Sequence, residues 1–288
     1  RQTGFAMLAS ASVQECMDIG AVAHLAAIKG SIPFMHFFDG FRTSHEIQKI
    51  ELLDYDDLGK ILDWDAVQRF RDHALNSEHP TIRSTLQNPD TFFQSREACN
   101  TAYDALPDIV QEQMDAINKL TGRDYKLFNY YGAPDAERVI VAMGSVCETL
   151  HEVVDYLTER GEKVGMVQVH LYRPFSAKHL AAALPATVKT IAVLDRTKEP
   201  GAAGEPLFED VCTALRDTAF AGVEILGGRY GLSSKDTIPA HMKAVFDNLA
   251  GEKKNHFTVG IDDDVTHTSL SVGENIVTSG KSIISCKF

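Results

Sequence analysis

The chain has 288 residues, of which 44% are hydrophobic and 24% are charged, and its 28 basic and 40 acidic residues give a formal net charge of −12. This composition is typical of a globular protein with roughly two domains, and it excludes disordered, collagen-like and disulfide-scaffold chains. Nucleic acid and membrane surfaces are poor partners for so acidic a protein. No run of about 18 apolar residues occurs, so we expect no membrane-spanning segment.

The cysteines are widely scattered, and none has the spacing of a C-x-x-C pair, a zinc site or an iron–sulfur site. They are Cys16, Cys99, Cys147, Cys212 and Cys286. We expect reduced thiols in or near protein cores, which favours a reducing compartment. The chain opens at Arg1 without an initiator methionine or a signal-peptide pattern, so we interpret it as a piece of a longer protein.

Near the N-terminus, residues 12–28 carry apolar side chains at helical spacing and predict a helix. Residues 31–38 are short and nearly all apolar, which predicts a strand buried on both faces of a parallel sheet. Thr43 and Glu46 have the spacing of a capping box, so we expect a second helix to begin there. The loop from Asp39 would then lie at the carboxyl end of a strand, where such sheets bind ligands.

Four side chains in residues 39–46 are therefore candidates to line a ligand cavity: Asp39, Arg42, Thr43 and His45. An equally supported alternative is that Arg42 pairs with Asp39 only to brace the loop.

The apolar residues of 51–100 follow no sustained helical or strand period, and we expect 74–96 to be an extended connection over a surface. A helix should run from Pro107 to about Gly122, with 125–137 crossing between domains.

Residues 137–249 have the clearest pattern. Predicted strands at 137–144, 163–172, 189–195 and 223–228 alternate with predicted helices at 148–161, 176–185, 205–217 and 238–250. Short connections between alternating strands and helices predict a parallel sheet with right-handed crossovers. The fold class is therefore α/β.

Two glycine-containing loops follow predicted strands, at 195–201 and 227–231, and neither matches a strong phosphate-binding motif. Their basic side chains are Arg196, Lys198, Arg229 and Lys235. Such loops can cradle an anion, although tight turns with ion pairs at a domain interface explain the spacing as well. Because the carboxyl ends of parallel strands share one sheet edge, we expect these cations to lie near that edge and contact a neighbouring domain.

After residue 251 the pattern changes again. Three consecutive carboxylates, Asp262 to Asp264, suggest a metal site at first sight. Adjacent residues of a strand point to opposite faces, however, so a solvated acidic turn is the better interpretation. Residues 275–288 have strand propensity but no evident partner, which indicates that a third domain begins here.

Several long strings resemble pyruvate:ferredoxin (flavodoxin) oxidoreductases. They are RQTGFAML at 1–8, SIPFMHFFDGFRTSHEIQKI at 31–50, HPTIRSTLQNPDTFFQSREA at 79–98, YYGAPDAERVIVAMGS at 130–145, VHLYRPFSAKHL at 169–180, AVLDRTKEPGAAGEPL at 192–207, GGRYGLSSKD at 227–236 and FTVGIDDDVTHTSL at 257–270. The resemblance implies three domains. Residues 1–125 would be the latter part of a pyrimidine-binding thiamine domain with a wrapping extension, 126–250 a transketolase C-terminal-like domain, and 251–288 the start of a coenzyme A-associated domain.

The resemblance also implies an activity. Enzymes of this family decarboxylate pyruvate with thiamine diphosphate, magnesium and [4Fe-4S] clusters, pass electrons to ferredoxin or flavodoxin, and form acetyl-coenzyme A. It further implies a homodimer in the cytoplasm, or in an organelle of an anaerobic eukaryote. Asp39, Arg42, Thr43 and His45 become candidates for the cofactor cavity, and Arg196, Lys198, Arg229 and Lys235 for interdomain contacts.

No catalytic, metal-binding or cluster residue of the family has a matching position in this sequence, so we expect the segment alone to be inactive. Two other functions stay open at this point. One is a transketolase or 2-oxoacid dehydrogenase relative that works without ferredoxin. The other is a non-catalytic assembly subunit.

Overall fold

The computed structural model describes residues 1–82 and 86–277. Its contacts divide the chain into two compact units. Unit 1 comprises Arg1–Phe38, Ile47–Leu127 and His170–Ser176, whereas unit 2 comprises Asp39–Glu46, Phe128–Val169 and the residues from Ala177 onward. Each unit combines helices with a sheet that contains parallel strands, which confirms the predicted α/β class.

In chain order the strands are β1 (Ala6–Ser10), β2 (Phe34–Phe38), β3 (Phe128–Gly132), β4 (Arg138–Ala142), β5 (Val164–Val169), β6 (Leu171–Arg173), β7 (Thr190–Asp195), β8 (Glu224–Arg229) and β9 (Phe257–Thr258). The helices are α1 (Val13–Gly30), α2 (Tyr55–Ile61), α3 (Trp64–Asp72), α4 (Pro89–Ala98), α5 (Asn100–Thr121), α6 (Val146–Thr158), α7 (Ala177–Ala183), α8 (Pro206–Leu215) and α9 (Pro239–Ala250). Within the described residues, no helix is both long enough and apolar enough to cross a membrane.

The sheet of unit 1 has the strand order β2-β1-β6. Strand β1 is parallel to β2 and antiparallel to β6, and it is buried along its whole length. The predicted strand at 31–38 is therefore confirmed as β2, and so is its parallel pairing. Its predicted burial on both faces is wrong, because β1 takes the centre of the sheet and leaves β2 at the edge, half-buried or exposed.

Helix α1 confirms the helix predicted at 12–28, and it packs against α5. Helix α5 begins at Asn100 rather than at the predicted Pro107, which lies inside the helix and is buried beside Leu106. Leu106 packs closely against α1, where a Cβ added at Gly30 would lie only 2.7 Å from its Cδ1 atom. The helix ends as predicted at Gly122, which adopts a left-handed conformation.

Three helices of unit 1 were not predicted. Helices α2, α3 and α4 lie within 51–100, and α4 also contradicts the extended connection expected at 74–96. Asp54 caps α2 by accepting backbone N–H bonds, and Asp63 caps α3 in the same way. The apolar side chains of these helices are largely exposed, so no buried stripe marks them in the sequence.

The sheet of unit 2 has the strand order β3-β5-β4-β7-β8-β9. Strands β5, β4, β7 and β8 are parallel neighbours, and all four helices predicted between 137 and 249 are present as α6 to α9. The segment 125–137 passes from unit 1 to unit 2 between Leu127 and Phe128, as the predicted crossing requires, and it also contains strand β3, antiparallel to β5, which was not predicted. The single strand predicted at 163–172 was wrong, because it divides into β5 in unit 2 and β6 in unit 1.

The acidic residues near the end of the described chain form a turn. Asp263 accepts hydrogen bonds from the backbone N–H groups of Val265 and Thr266 and from the Thr266 hydroxyl. These donors lower the pKa of Asp263 to about 2.

The strand propensity predicted for 275–288 falls mostly outside the described residues, as does Cys286. The domain boundaries predicted at 125 and 250 stay predictions.

Candidate functional site

A polar cleft of about 250 Å³ lies in unit 2, and we call it the unit 2 cleft. Its lining includes Arg42 from the segment 39–46, Ser145 before α6, Arg196 after β7, and Tyr230 and Lys235 after β8. Strands β4, β7 and β8 are adjacent and parallel, so their carboxyl ends meet at this edge of the sheet. This is the edge at which open parallel sheets bind ligands.

Asp39 anchors the segment 39–46 to this edge. Its carboxylate pairs with Arg196 at 2.7 Å and accepts the backbone N–H of Ser145 at 2.6 Å. The residue before Ser145 must be small and tolerate a left-handed conformation: Gly144 has φ 80°, and a Cβ there would lie 2.6 Å from the Asp39 Oδ2 atom. The contact between the Asp39 carboxylate and the start of α6 therefore depends on a glycine at position 144.

The helix predicted to begin at Thr43 is absent, because residues 40–45 form turns. Arg42 instead forms an ion pair with Asp236 and donates to the carbonyl of Ser234 at 2.7 Å. The alternative pairing of Arg42 with Asp39 is wrong as well, since Arg196 and Ser145 occupy that carboxylate. These tertiary contacts outweigh the local capping signal.

The other two cavity candidates lie elsewhere in the loop. Thr43 is buried, and its carbonyl accepts the backbone N–H of Glu46. His45 is exposed, and its ring stacks on Phe41 with a centroid distance of 4.9 Å. Neither residue lines the unit 2 cleft. The orientation of the four candidates toward a cofactor stays a prediction.

The four cations of the glycine loops separate into two pairs. Arg196 and Lys235 line the unit 2 cleft. Lys198 and Arg229 instead meet the buried carboxylate of Glu205, at 3.2 and 3.5 Å. Glu205 also accepts the backbone N–H of Glu199 and so closes the loop after β7. Sequence reasoning missed Glu205, for which the only signal was its position before the proline that starts α8.

Asp195 ends β7 and ties that strand to α8. It is 2% exposed, and its two carboxylate oxygens accept the backbone N–H groups of Leu207 and Phe208 at 2.9 and 3.0 Å. Burial raises the pKa of Asp195 to about 6, although the two N–H bonds oppose the rise. A carboxylate at a helix N-terminus interacts favourably with the helix dipole, so the residue has a structural role here.

Unit 1 holds a second polar group of residues, around the end of β1. The Ser10 hydroxyl and the His36 Nε2 atom lie 2.7 Å apart, but Ser10 is fully buried. Burial lowers the pKa of His36, and burial together with the Glu15 charge raises the pKa of Cys16 to about 11. A thiol with so high a pKa is a poor nucleophile, so this group is better suited to stabilising the fold than to reacting.

Two family models match the chain. Residues 1–115 match the model described as pyruvate flavodoxin/ferredoxin oxidoreductase, thiamine diphosphate-binding, and residues 136–235 match core domain II of pyruvate:ferredoxin oxidoreductase. Together the two models cover more than half of the chain. A 2-oxoglutarate:ferredoxin oxidoreductase from Magnetococcus marinus has a similar fold, with a TM-score of 0.50 and 15% identity over 85% of this chain and 42% of that chain.

Closer relatives agree with the family models. The pyruvate:ferredoxin oxidoreductase of Moorella thermoacetica is 62% identical, and the pyruvate-flavodoxin oxidoreductase of Enterobacter agglomerans is 60% identical. Each match includes all of this chain and 25% of the relative, so the chain spans about a quarter of the length of these proteins. The resemblance read from the sequence is confirmed: the chain belongs to the pyruvate:ferredoxin/flavodoxin oxidoreductase family.

Proposed function

We propose that this chain is a segment of an enzyme that oxidatively decarboxylates pyruvate. The products are acetyl-coenzyme A and carbon dioxide, and two electrons pass one at a time to ferredoxin or flavodoxin. The observation that carries the proposal is the 62% identity over the whole chain with the Moorella thermoacetica protein of that name. It favours this activity over a transketolase-like reaction and over a non-catalytic assembly subunit.

Such an enzyme needs thiamine diphosphate, magnesium and iron–sulfur clusters. Thiamine diphosphate, when bound, supplies carbanion stabilisation that protein side chains lack. Among the described residues, no group of three or more histidine, cysteine or acidic side chains could hold a metal ion, and none of the four described cysteines forms a disulfide. This donor set does not fit a magnesium–diphosphate site or a cluster, and we assign no reaction step to it.

The contribution of this segment is therefore architectural. Unit 1 carries most of the residues matched by the thiamine diphosphate-binding model, and unit 2 most of those matched by core domain II. We assign residues 1–125 to the thiamine-binding domain, 126–250 to a transketolase C-terminal-like domain and 251–288 to the start of a coenzyme A-associated domain. We further propose a homodimer in a reducing compartment, the cytoplasm, which agrees with the lack of disulfides among the four described cysteines.

Substrate specificity of the intact enzyme that contains this sequence tests the proposal. With coenzyme A and a viologen acceptor, we expect pyruvate to support reduction at least tenfold faster than 2-oxoglutarate, since one changed pocket contact alone is worth about tenfold or more. Omitting coenzyme A is the control and should lower the rate strongly. Faster reduction with 2-oxoglutarate, or no reduction with either acid, would contradict the proposed activity.

A further inference from the structure

We propose that an apolar groove of unit 1 binds a basic amphipathic helix from the part of the intact polypeptide that lies outside these 288 residues. The matched region is 25% of each relative described above, so three quarters of such a polypeptide is available to supply the helix. The proposal rests on the proposed function only in treating the chain as part of a longer enzyme. Its test detects a cross-link rather than activity, so the two proposals can fail separately.

The groove has a volume of about 710 Å³ and lies between α1 and the segment 52–64, and we call it the α1 groove. One wall is a face of α1 that is formed by Met17, Ala21, Leu25 and Ile28. Spacings of three and four residues place these side chains on one side of the helix, along about 16 Å. The face is therefore long enough for three turns of a second helix.

The opposite wall carries large apolar side chains that are exposed in the described chain. Leu52 is 75% exposed, Tyr55 is 88% exposed and Trp64 is 59% exposed. Exposed apolar patches of this kind usually mark interaction sites, because contact with water is unfavourable for apolar surface. The wall therefore indicates a partner that removes these side chains from water in the intact protein.

The lining of the α1 groove favours a helix over a small molecule or an extended segment. Only His24, Tyr55 and Trp64 contribute a side-chain nitrogen or oxygen, and the Trp64 indole N–H already donates to the Gly59 carbonyl at 3.0 Å. Small-molecule sites usually contain several fixed polar groups that orient the ligand. No strand of the described residues lines the groove, so an extended backbone would find no partner there, whereas a helix satisfies its own N–H and C=O groups.

The charge beside the groove favours a basic helix. Residues 51–65 contain six acidic residues and one basic residue, Lys60, which already pairs with Asp57 at 2.6 Å. Asp56 and Asp65 are exposed, and neither forms an ion pair with another described residue. Lysine or arginine side chains that flank the apolar face of a bound helix would give these carboxylates counter-charges.

A second copy of this chain fits the groove less well. A symmetric contact would place the acidic segments 51–65 of two copies against each other, and like charges that meet at an interface cost free energy. The whole chain has a formal net charge of −12, so the other faces of a second copy are on average acidic too. A helix from the rest of the polypeptide is free of this restriction.

Photo-cross-linking of the intact enzyme tests the proposal. Tyr55→p-benzoylphenylalanine and Trp64→p-benzoylphenylalanine place the cross-linker on the exposed wall, and mass spectrometry identifies the peptide that each captures. We expect both to capture one segment outside the 288 residues, with apolar residues at helical spacing and an excess of lysine and arginine. Tyr131→p-benzoylphenylalanine is the matched control, since Tyr131 is an exposed tyrosine of unit 2, and it should not capture that segment.

Charge reversal tests the electrostatic contribution. Asp56→Lys combined with Asp65→Lys should speed amide hydrogen exchange of the captured segment at least about threefold, because weaker docking raises its open population. Asp104→Lys combined with Asp217→Lys changes the net charge equally at exposed positions that do not line the groove, and should leave the exchange unchanged. Circular dichroism verifies that each variant is folded.

Four results would each overturn the proposal. They are capture of a neutral or acidic segment, capture of only residues 1–288 of another copy or of a separate protein, no capture by either groove position, and equal exchange in the two double variants.

Discussion

Replacing Asp39 with alanine is expected to lower the free energy of unfolding by about 3 kcal/mol, because it breaks a largely buried ion pair and leaves one charge without its partner. The Asp39 and Arg196 side chains are 19% and 17% exposed, so solvent compensates little for the loss. The same substitution removes the acceptor of the Ser145 backbone N–H. The segment 39–46 would then lose its anchor to unit 2.

Urea denaturation of the 288-residue chain measures this effect. Asp264→Ala is the control, because Asp264 is exposed in the acidic turn, and surface substitutions of this kind change stability by no more than about 0.5 kcal/mol. Asp39→Asn keeps one acceptor oxygen and should fall between the two. A loss in Asp39→Ala no larger than that in the control would show that Asp39 does not hold the segment in place.

Asp195 is expected to make stability depend on pH. Its pKa is raised from 3.8 to about 6 in the folded chain, so the native state binds more protons than the unfolded state between these values. By linkage, the free energy of unfolding falls as pH rises through this window. The shift of about 2 pKa units corresponds to a loss of about 3 kcal/mol that is fully present above pH 6 and absent below pH 4.

The comparison with Asp195→Asn isolates this contribution, because asparagine does not titrate. Between pH 4 and pH 7, the stability of the unsubstituted chain should fall relative to that of the variant by up to about 3 kcal/mol. Asp217→Asn is the control, since Asp217 is exposed, and its difference from the unsubstituted chain should not change over the window. A difference between Asp195→Asn and the unsubstituted chain that is constant with pH would contradict the assigned burial of the charge.

The sequence predicts unit 2 well because its signals are local. Strands β4, β5 and β7 of unit 2 are short, mostly apolar runs, and helices α6, α8 and α9 have several buried side chains at helical spacing. Unit 1 lacks such signals. Strand β1 has the sequence AMLAS, which is short and composed mostly of small residues, and the exposed helices α2 to α4 present no stripe to detect.

The candidate site shows a second limit of local patterns. Arg196 and Lys235 follow strands that the pattern already makes neighbours, so their shared edge could be predicted. The Asp39 side chain reaches a backbone N–H 106 residues away, and that contact replaces the expected helix at Thr43.

The most direct test measures release of labelled carbon dioxide from [1-¹³C]pyruvate by the purified 288-residue chain and by the intact enzyme that contains it. Thiamine diphosphate, magnesium, coenzyme A and a viologen acceptor are present in both assays. Because the described residues hold no metal or cluster ligand set, we expect release from the intact enzyme and none from the chain alone. Release in proportion to the concentration of the isolated chain, free of intact enzyme, would contradict its architectural role.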